Sequence, residues 1–144
     1  MMTVKLVCVG TLKESYWRDA CAEYEKRLGA FCKFKTVALP ESTLETEGDA
    51  ILKACEGYVV ALCVEGKLLS SEELAEKIES VAQISSKITF IIGSSCGLTD
   101  AVKRRADLRL SFSRFTFPHQ MMRVLLLEVI YRAFGILKGT KYHK

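Results

Sequence analysis

The sequence predicts an α/β protein with one mostly parallel sheet of five to six strands and helices on both faces. Two observations lead there. Short runs rich in β-branched and apolar residues alternate with amphipathic stretches along the whole chain, the pattern that crossover connections produce. The 144 residues are 49% hydrophobic and 26% charged, enough for a single domain, taken as residues 1–144, with a real core.

The elements follow in order. TVKLVCVG (3–10) is apolar, β-branched and closed by glycine, a strand. ESYWRDACAEYEKRLG (14–29) carries Trp17, Ala20, Cys21, Tyr24 and Leu28 at spacings of three and four, an amphipathic helix with Gly29 placed for its C-terminal turn. FCKFKTVAL (31–39) reads as a strand ended by Pro40, and TLETEGDAILKACEG (43–57) as a helix without a clear start. YVVALCV (58–64) is a buried strand. SSEELAEKIESVAQI (70–84) opens with Ser70 and Glu73 at capping-box spacing. KITFIIG (87–93) is a strand, LTDAVKRRA (98–106) a short helix capped by Thr99, and LRLSFS (108–113) a short strand. The last helix runs from Pro118 to about Leu137 and is apolar nearly all round, except for a wedge at Glu128 and Arg132. A helix buried on more than one side in so small a chain predicts a homodimer, with this helix near the interface.

Charge is unevenly spread. Residues 1–99 carry a net −3 and residues 100–144 a net +7. A basic C-terminal third is what a phosphate-backbone partner requires, and it points to nucleic acid. MMRVLLLEVIYRAFGIL (121–137) is broken by Arg123, Glu128 and Arg132, so no membrane span is expected, and the N-terminal run lacks the apolar core of a signal peptide. Of six cysteines, none forms C-x-x-C, and with two histidines no metal site is expected. The five other than Cys96 read as reduced thiols with structural roles in a cytoplasmic protein.

GSSCG (93–97) has the G-x-S-x-G spacing of a nucleophile elbow. Three readings stand: Ser95 as a nucleophile, a glycine loop admitting a ligand close to the backbone, or a plain strand-to-helix turn. A hydrolase needs a histidine oriented by a carboxylate, and only Asp100 or Asp107 with His119 or His143 could supply it. In a parallel sheet, ligands bind beyond the carboxyl ends of strands, here after Leu62, Gly93 and Ser113.

KLVCVGTLKESYW, EYEKRL, VVALCVEGKLLSSEELA, FIIGSSCGL, TFPHQMMRVLLLEVIYRAF and the terminal YHK occur in this order. In that set the chain resembles the RlmH-type large-subunit rRNA methyltransferases of the SPOUT superfamily, along nearly its whole length. The resemblance implies a C-terminal trefoil knot, S-adenosylmethionine as cofactor, an obligate homodimer, and methylation of N3 of a pseudouridine in a 23S rRNA stem-loop on the assembled 70S ribosome. It assigns Leu62, Gly93, Phe112, Ser113, Arg114, Phe115, Thr116 and Phe117 to the cofactor, with Thr116 also available to cap the last helix. The imide nitrogen must lose its proton before it attacks, which suits a base with a pKa near neutral. The resemblance points to His143 as that base, with Tyr142 beside it as the second catalytic residue, and with the tail able to complete the other subunit's site. Lys138, Lys141 and Lys144 are expected on RNA phosphate. Arg123 is grouped with them, although the cofactor carboxylate or an acidic partner would also suit it. His119 is structural or cofactor-adjacent. The basic run at 103–105 belongs either to the RNA surface or to a solvated helix face. The chain departs from the family at Ser94 and Cys63, where Gly and Asp are usual, and at Val129, where Gln is. A positive φ at Ser94 would make its Cβ costly. The competing reading is a cofactor- or RNA-binding module without catalysis.

Overall fold

The structure, a computed structural model, describes residues 1–143. Its elements are β1 (Thr3–Val9), α1 (Ser15–Leu28), β2 (Lys33–Leu39), α2 (Leu44–Ala54), β3 (Tyr58–Leu68), α3 (Ser71–Ala82), β4 (Lys87–Ile92), α4 (Asp100–Arg105), β5 (Leu108–Ser111) and α5 (His119–Leu137). The five strands form one sheet in the order β2-β1-β4-β3-β5, and every pairing between them is parallel. The strands and helices fall where the apolar periodicities put them. Lys144 lies outside the described residues.

Side chains alternate across the sheet with period two. Val4, Leu6, Cys8, Val60, Ile88, Phe90 and Ile92 face one layer, formed by α1, α3 and α5. Val7, Val9, Val59, Ala61 and Ile91 face the other, where α2 and α4 pack. Both faces of the central strands are therefore dry, which is why β4 and β1 read as near-continuous apolar runs. The one hydroxyl in the middle of β4 is satisfied: Thr89 Oγ1 donates to the Glu56 carbonyl at 2.7 Å and accepts from its amide at 3.0 Å. Four cysteines sit in the core and Cys55 is half-buried; burial pushes the thiols of Cys21 and Cys32 up to about 11.

Helix ends follow local chemistry. Ser70 and Glu73 close a full capping box, and the hydroxyls of Thr43 and Thr99 cap α2 and α4. Three expectations are corrected. Gly29 caps α1 at φ −57°, an ordinary right-handed conformation, so its freedom is not used there. Thr116 does not cap α5; Pro118 does, without a side-chain bond. Leu62 does not end its strand, because β3 runs on to Leu68.

α5 buries Leu126, Leu127, Ile130, Ala133 and Phe134 against the sheet, α1 and α3. Beside that face, Met121, Leu125 and Val129 are only half-buried. The polar wedge closes on itself, with Arg132 on Glu128 at 2.7 Å. Among the described residues no helix is long and apolar enough to cross a membrane.

Candidate functional site

The carboxyl edge of the sheet holds a cleft of about 260 Å³ walled by three loops and the start of α5. The first wall comes from a break in a strand pairing. Leu110 of β5 pairs with both Leu62 and Lys67 of β3, so the four residues Cys63–Gly66 arch away between them. Gly66 lets the strand return, since a Cβ there would meet the Arg109 carbonyl at 2.8 Å. Leu62, Cys63, Val64 and Glu65 line the cleft.

The second wall is GSSCG. Gly97 donates its amide to the Ser94 carbonyl at 2.9 Å, making a tight turn with Ser95 and Cys96 at the tip. Gly97 takes φ +84°, and a Cβ on Gly93 would come within 2.6 Å of the Gly97 carbonyl oxygen. Ser95 is exposed at the turn tip, and His143 is engaged elsewhere, on Glu72 and Arg132. The elbow reading fails on this geometry: a β-turn, not a strand-to-helix corner, carries the serine. Among the described residues no histidine bonds it.

Ser94 does not carry strain, because among the described residues only glycines take positive φ. Its hydroxyl donates to Glu47 at 2.7 Å, and the other carboxylate oxygen of Glu47 accepts from the Ser42 amide at 2.8 Å. Glu47, 3% exposed, thus anchors the cleft loop from behind. The sequence reading missed it, since a lone acid in a helix looks solvated; its place on the buried stripe with Ile51 was the available signal.

The third wall is the loop after β5. Ser111 Oγ donates to the Ser113 carbonyl at 3.0 Å, and Ser113 Oγ accepts from the Phe115 amide at 3.0 Å. These bonds fold residues 111–115 back over the cleft. Phe112, Ser113, Phe115, Thr116 and Phe117 line it, and Arg114 does not. Phe115 is 78% exposed and stands at the rim. α5 adds His119 and Met122. Of the eight residues expected on a cofactor, seven face one cavity. Glu65 and Lys103, an ion pair at 2.7 Å on its wall, were not anticipated at the cofactor cleft. That bond holds Glu65 below and Lys103 above their usual ranges.

The residues fit an adenosyl cofactor. Leu62, Ile92, Leu98 and Leu110 make an apolar floor for a flat base, and four hydroxyls lie around it on Ser94, Ser111, Ser113 and Thr116. Gly93 leaves a cradle that any side chain would fill. Gly93→Ala is expected to crowd a backbone oxygen that cannot swing away. The cost is about 1–3 kcal/mol of overpacking, read as roughly 5- to 150-fold weaker cofactor binding by titration calorimetry, a lower melting temperature, or both. Wild-type affinity and melting together would refute the close approach.

The tail lies apart from this cleft. α5 ends in a turn through Gly139 at φ +71°, where Thr140 donates its amide to the Gly135 carbonyl at 2.9 Å. Gly135 has no side chain to block the return. Tyr142 then lies edge-on to Tyr131 at 4.8 Å, under the Arg132 guanidinium at 4.6 Å, and donates its hydroxyl to Glu128 at 2.7 Å. That hydrogen bond, with partial burial, raises the Tyr142 phenol above its usual value. His143 Nε2 sits 2.7 Å from Glu72 and Nδ1 3.2 Å from Arg132. Tyr142 and His143 are brought together but do not line their own chain's cleft.

Arg123 is also corrected. It is 5% exposed, donates to the carbonyls of Val9, at 3.1 Å, and Gly10, and does not line the cleft, so its guanidinium is spent inside the fold. Lys138 and Lys141 are exposed beyond the end of α5.

Residues 2–143 match the family described as "Predicted SPOUT methyltransferase". A "Ribosomal RNA large subunit methyltransferase H" of Caldicellulosiruptor bescii is 49% identical over 153 aligned positions, covering 98% of this chain and 99% of its own. Proteins of the same name from Limosilactobacillus reuteri and Leuconostoc mesenteroides are 45% and 46% identical, each covering 99% of this chain and 100% of its own. Among solved structures, a probable methylase family protein from Haemophilus influenzae superposes with a TM-score of 0.60 over 98% of this chain and 70% of its own. At 17% identity that likeness speaks for the fold alone.

Proposed function

This chain belongs to the SPOUT methyltransferase family, and we propose that it methylates large-subunit ribosomal RNA in the cytoplasm, using S-adenosylmethionine. The finer reading is transfer to N3 of a pseudouridine in a 23S stem-loop on the assembled 70S ribosome, by a homodimer with a trefoil knot at the cofactor site. The observation that carries the cofactor reading is the convergence of Leu62, Gly93 and the 112–117 loop, Arg114 excepted, on one cleft at the carboxyl edge of the sheet. The names of the relatives support the rRNA substrate, and the half-buried stripe of Met121, Leu125 and Val129 supports the dimer.

The chain's own residues then have distinct tasks. The apolar floor and the loop backbones hold and orient the cofactor, which supplies an electrophilic methyl group. His143 takes the proton from N3 of the pseudouridine, so that the ring nitrogen attacks as an anion. Tyr142 fixes the tail. Because the tail is away from its own cleft, it serves the partner's. Lys138, Lys141 and Lys144 meet RNA phosphate.

The test is methyl transfer from labelled S-adenosylmethionine to undermodified 70S ribosomes, beside free 23S rRNA and tRNA. Label in the ribosomes alone is expected. Cofactor binding with no label in any RNA would leave a non-catalytic module. No cofactor binding would overturn the reading.

A further inference from the structure

A second groove, of about 480 Å³, runs beside the cleft between the arch of β3, strand β5 and helix α4. Glu65 and Lys103 line both cavities, so the two share a wall. The groove's other charged residues are Lys67, Arg104, Arg109 and Asp107. The acids are already committed. Glu65 pairs with Lys103 at 2.7 Å, and Asp107 accepts the Val59 amide at 2.8 Å and meets Arg105 at 3.5 Å. Lys67, Arg104 and Arg109 are exposed and form no ion pair among the described residues.

The fold puts these three cations together although they are far apart in sequence. Lys67 follows the arch, at the point where Gly66 lets β3 close again on β5. Arg109 alternates with Leu108 and Leu110, which face the α1–α3–α5 layer, so it projects on the side of α4. Arg104 comes from α4 itself. Three uncompensated cations along one groove favour a polyanion that can offer several charges in a row. The shared wall favours RNA over an acidic peptide, because a strand in the groove would run past the cleft where a methyl acceptor has to arrive.

We propose that this groove is a track for the RNA phosphodiester backbone, with Lys67, Arg104 and Arg109 each meeting a phosphate. It is separate from the lysines of the tail, and it rests on the rRNA reading above. Such contacts add affinity and orientation and carry no sequence information.

The test measures binding of undermodified 70S ribosomes and free 23S rRNA by the full chain over a salt series. The wild type is compared with Lys67→Gln/Arg104→Gln/Arg109→Gln and with Lys138→Gln/Lys141→Gln. The groove variant is expected to bind RNA roughly tenfold or more weakly at low salt, and to flatten the plot of log affinity against log salt by about one unit per lost contact. Its cofactor affinity and melting temperature should match the wild type, since all three side chains are exposed. Wild-type RNA affinity and salt slope in the groove variant would overturn the track alone. A wild-type chain that binds cofactor but neither RNA would overturn the rRNA reading and the track with it. An equal loss for acidic peptides as for RNA would also overturn the assignment to a nucleic-acid backbone.

Discussion

Arg123→Met is expected to lower stability by about 3 kcal/mol, and the melting temperature by roughly 6–12 °C, without changing the salt dependence of RNA binding. Arg123 reaches from the first turns of α5 to the end of β1, where its guanidinium donates to the carbonyls of Val9 and Gly10. Two effects oppose each other. Burying a guanidinium is costly, and replacing a buried ionic group by an apolar one of similar volume is sometimes neutral. That outcome requires both partners to become apolar, however, and the carbonyls here belong to the backbone and stay. Gly10 is held in place by its own amide on the Leu39 carbonyl at 2.7 Å and by φ +86°, so the strand end cannot turn its oxygens toward water. Two acceptors losing their donor in a dry site therefore outweigh the relief of desolvation. Urea denaturation of the wild type, Arg123→Met and Arg123→Lys checks this, with the lysine variant falling between. Wild-type stability in Arg123→Met would mean that the bonds carry nothing. A flattened salt slope in a folded Arg123→Met would return Arg123 to the RNA surface.

The same residue shows where sequence reading stops. Runs such as KITFIIG and the spacing of Leu74, Ile78 and Val81 define their own elements, because burial on one or both faces imposes a period on the chain. Caps at Ser70 and Thr99 are equally local. An arginine amid apolar neighbours is ambiguous, since its partners lie more than a hundred residues away. Two of the cleft's walls, at Gly93 and in the loop after β5, were legible because a glycine and strand ends mark them, and the resemblance pointed to them. The arch at Cys63–Gly66 was not, although VEGK breaks the apolar run, because a bulge is defined by its partner strand. Thr116 fails as a cap for a related reason: the 111–115 loop turns on Ser111 and Ser113, and Pro118 takes the helix entry. The Glu47–Ser94 bond joins α2 to the cleft loop across 47 positions, and no local pattern announces it.

His143→Ala is expected to slow methyl transfer by about 10²- to 10⁴-fold and to leave cofactor affinity unchanged, the range for losing a positioned base. Unchanged affinity is expected because a base meets the RNA nucleobase rather than the cofactor, and His143 does not line its own chain's cleft. A further constraint comes from its contacts. Arg132 can only donate, so in the neutral ring Nδ1 accepts and the proton lies on Nε2, facing Glu72. Both nitrogens are then engaged, and the ring can take a proton only when Nδ1 leaves Arg132. A base working in this way on its own chain's cleft would have to carry the tail off Glu128, Arg132 and Glu72 together. Serving the partner's cleft needs only that the ring turn off Arg132 while the partner presents its cleft near the tail's docked position. Mixed dimers decide between these. One protomer carries His143→Ala with an intact cleft, and the other keeps its tail but carries Gly93→Val, first checked for loss of cofactor binding. A tail acting across the interface gives such a dimer one working site, whereas a tail acting on its own chain gives none. Full activity in His143→Ala would remove His143 as the base from the proposed mechanism.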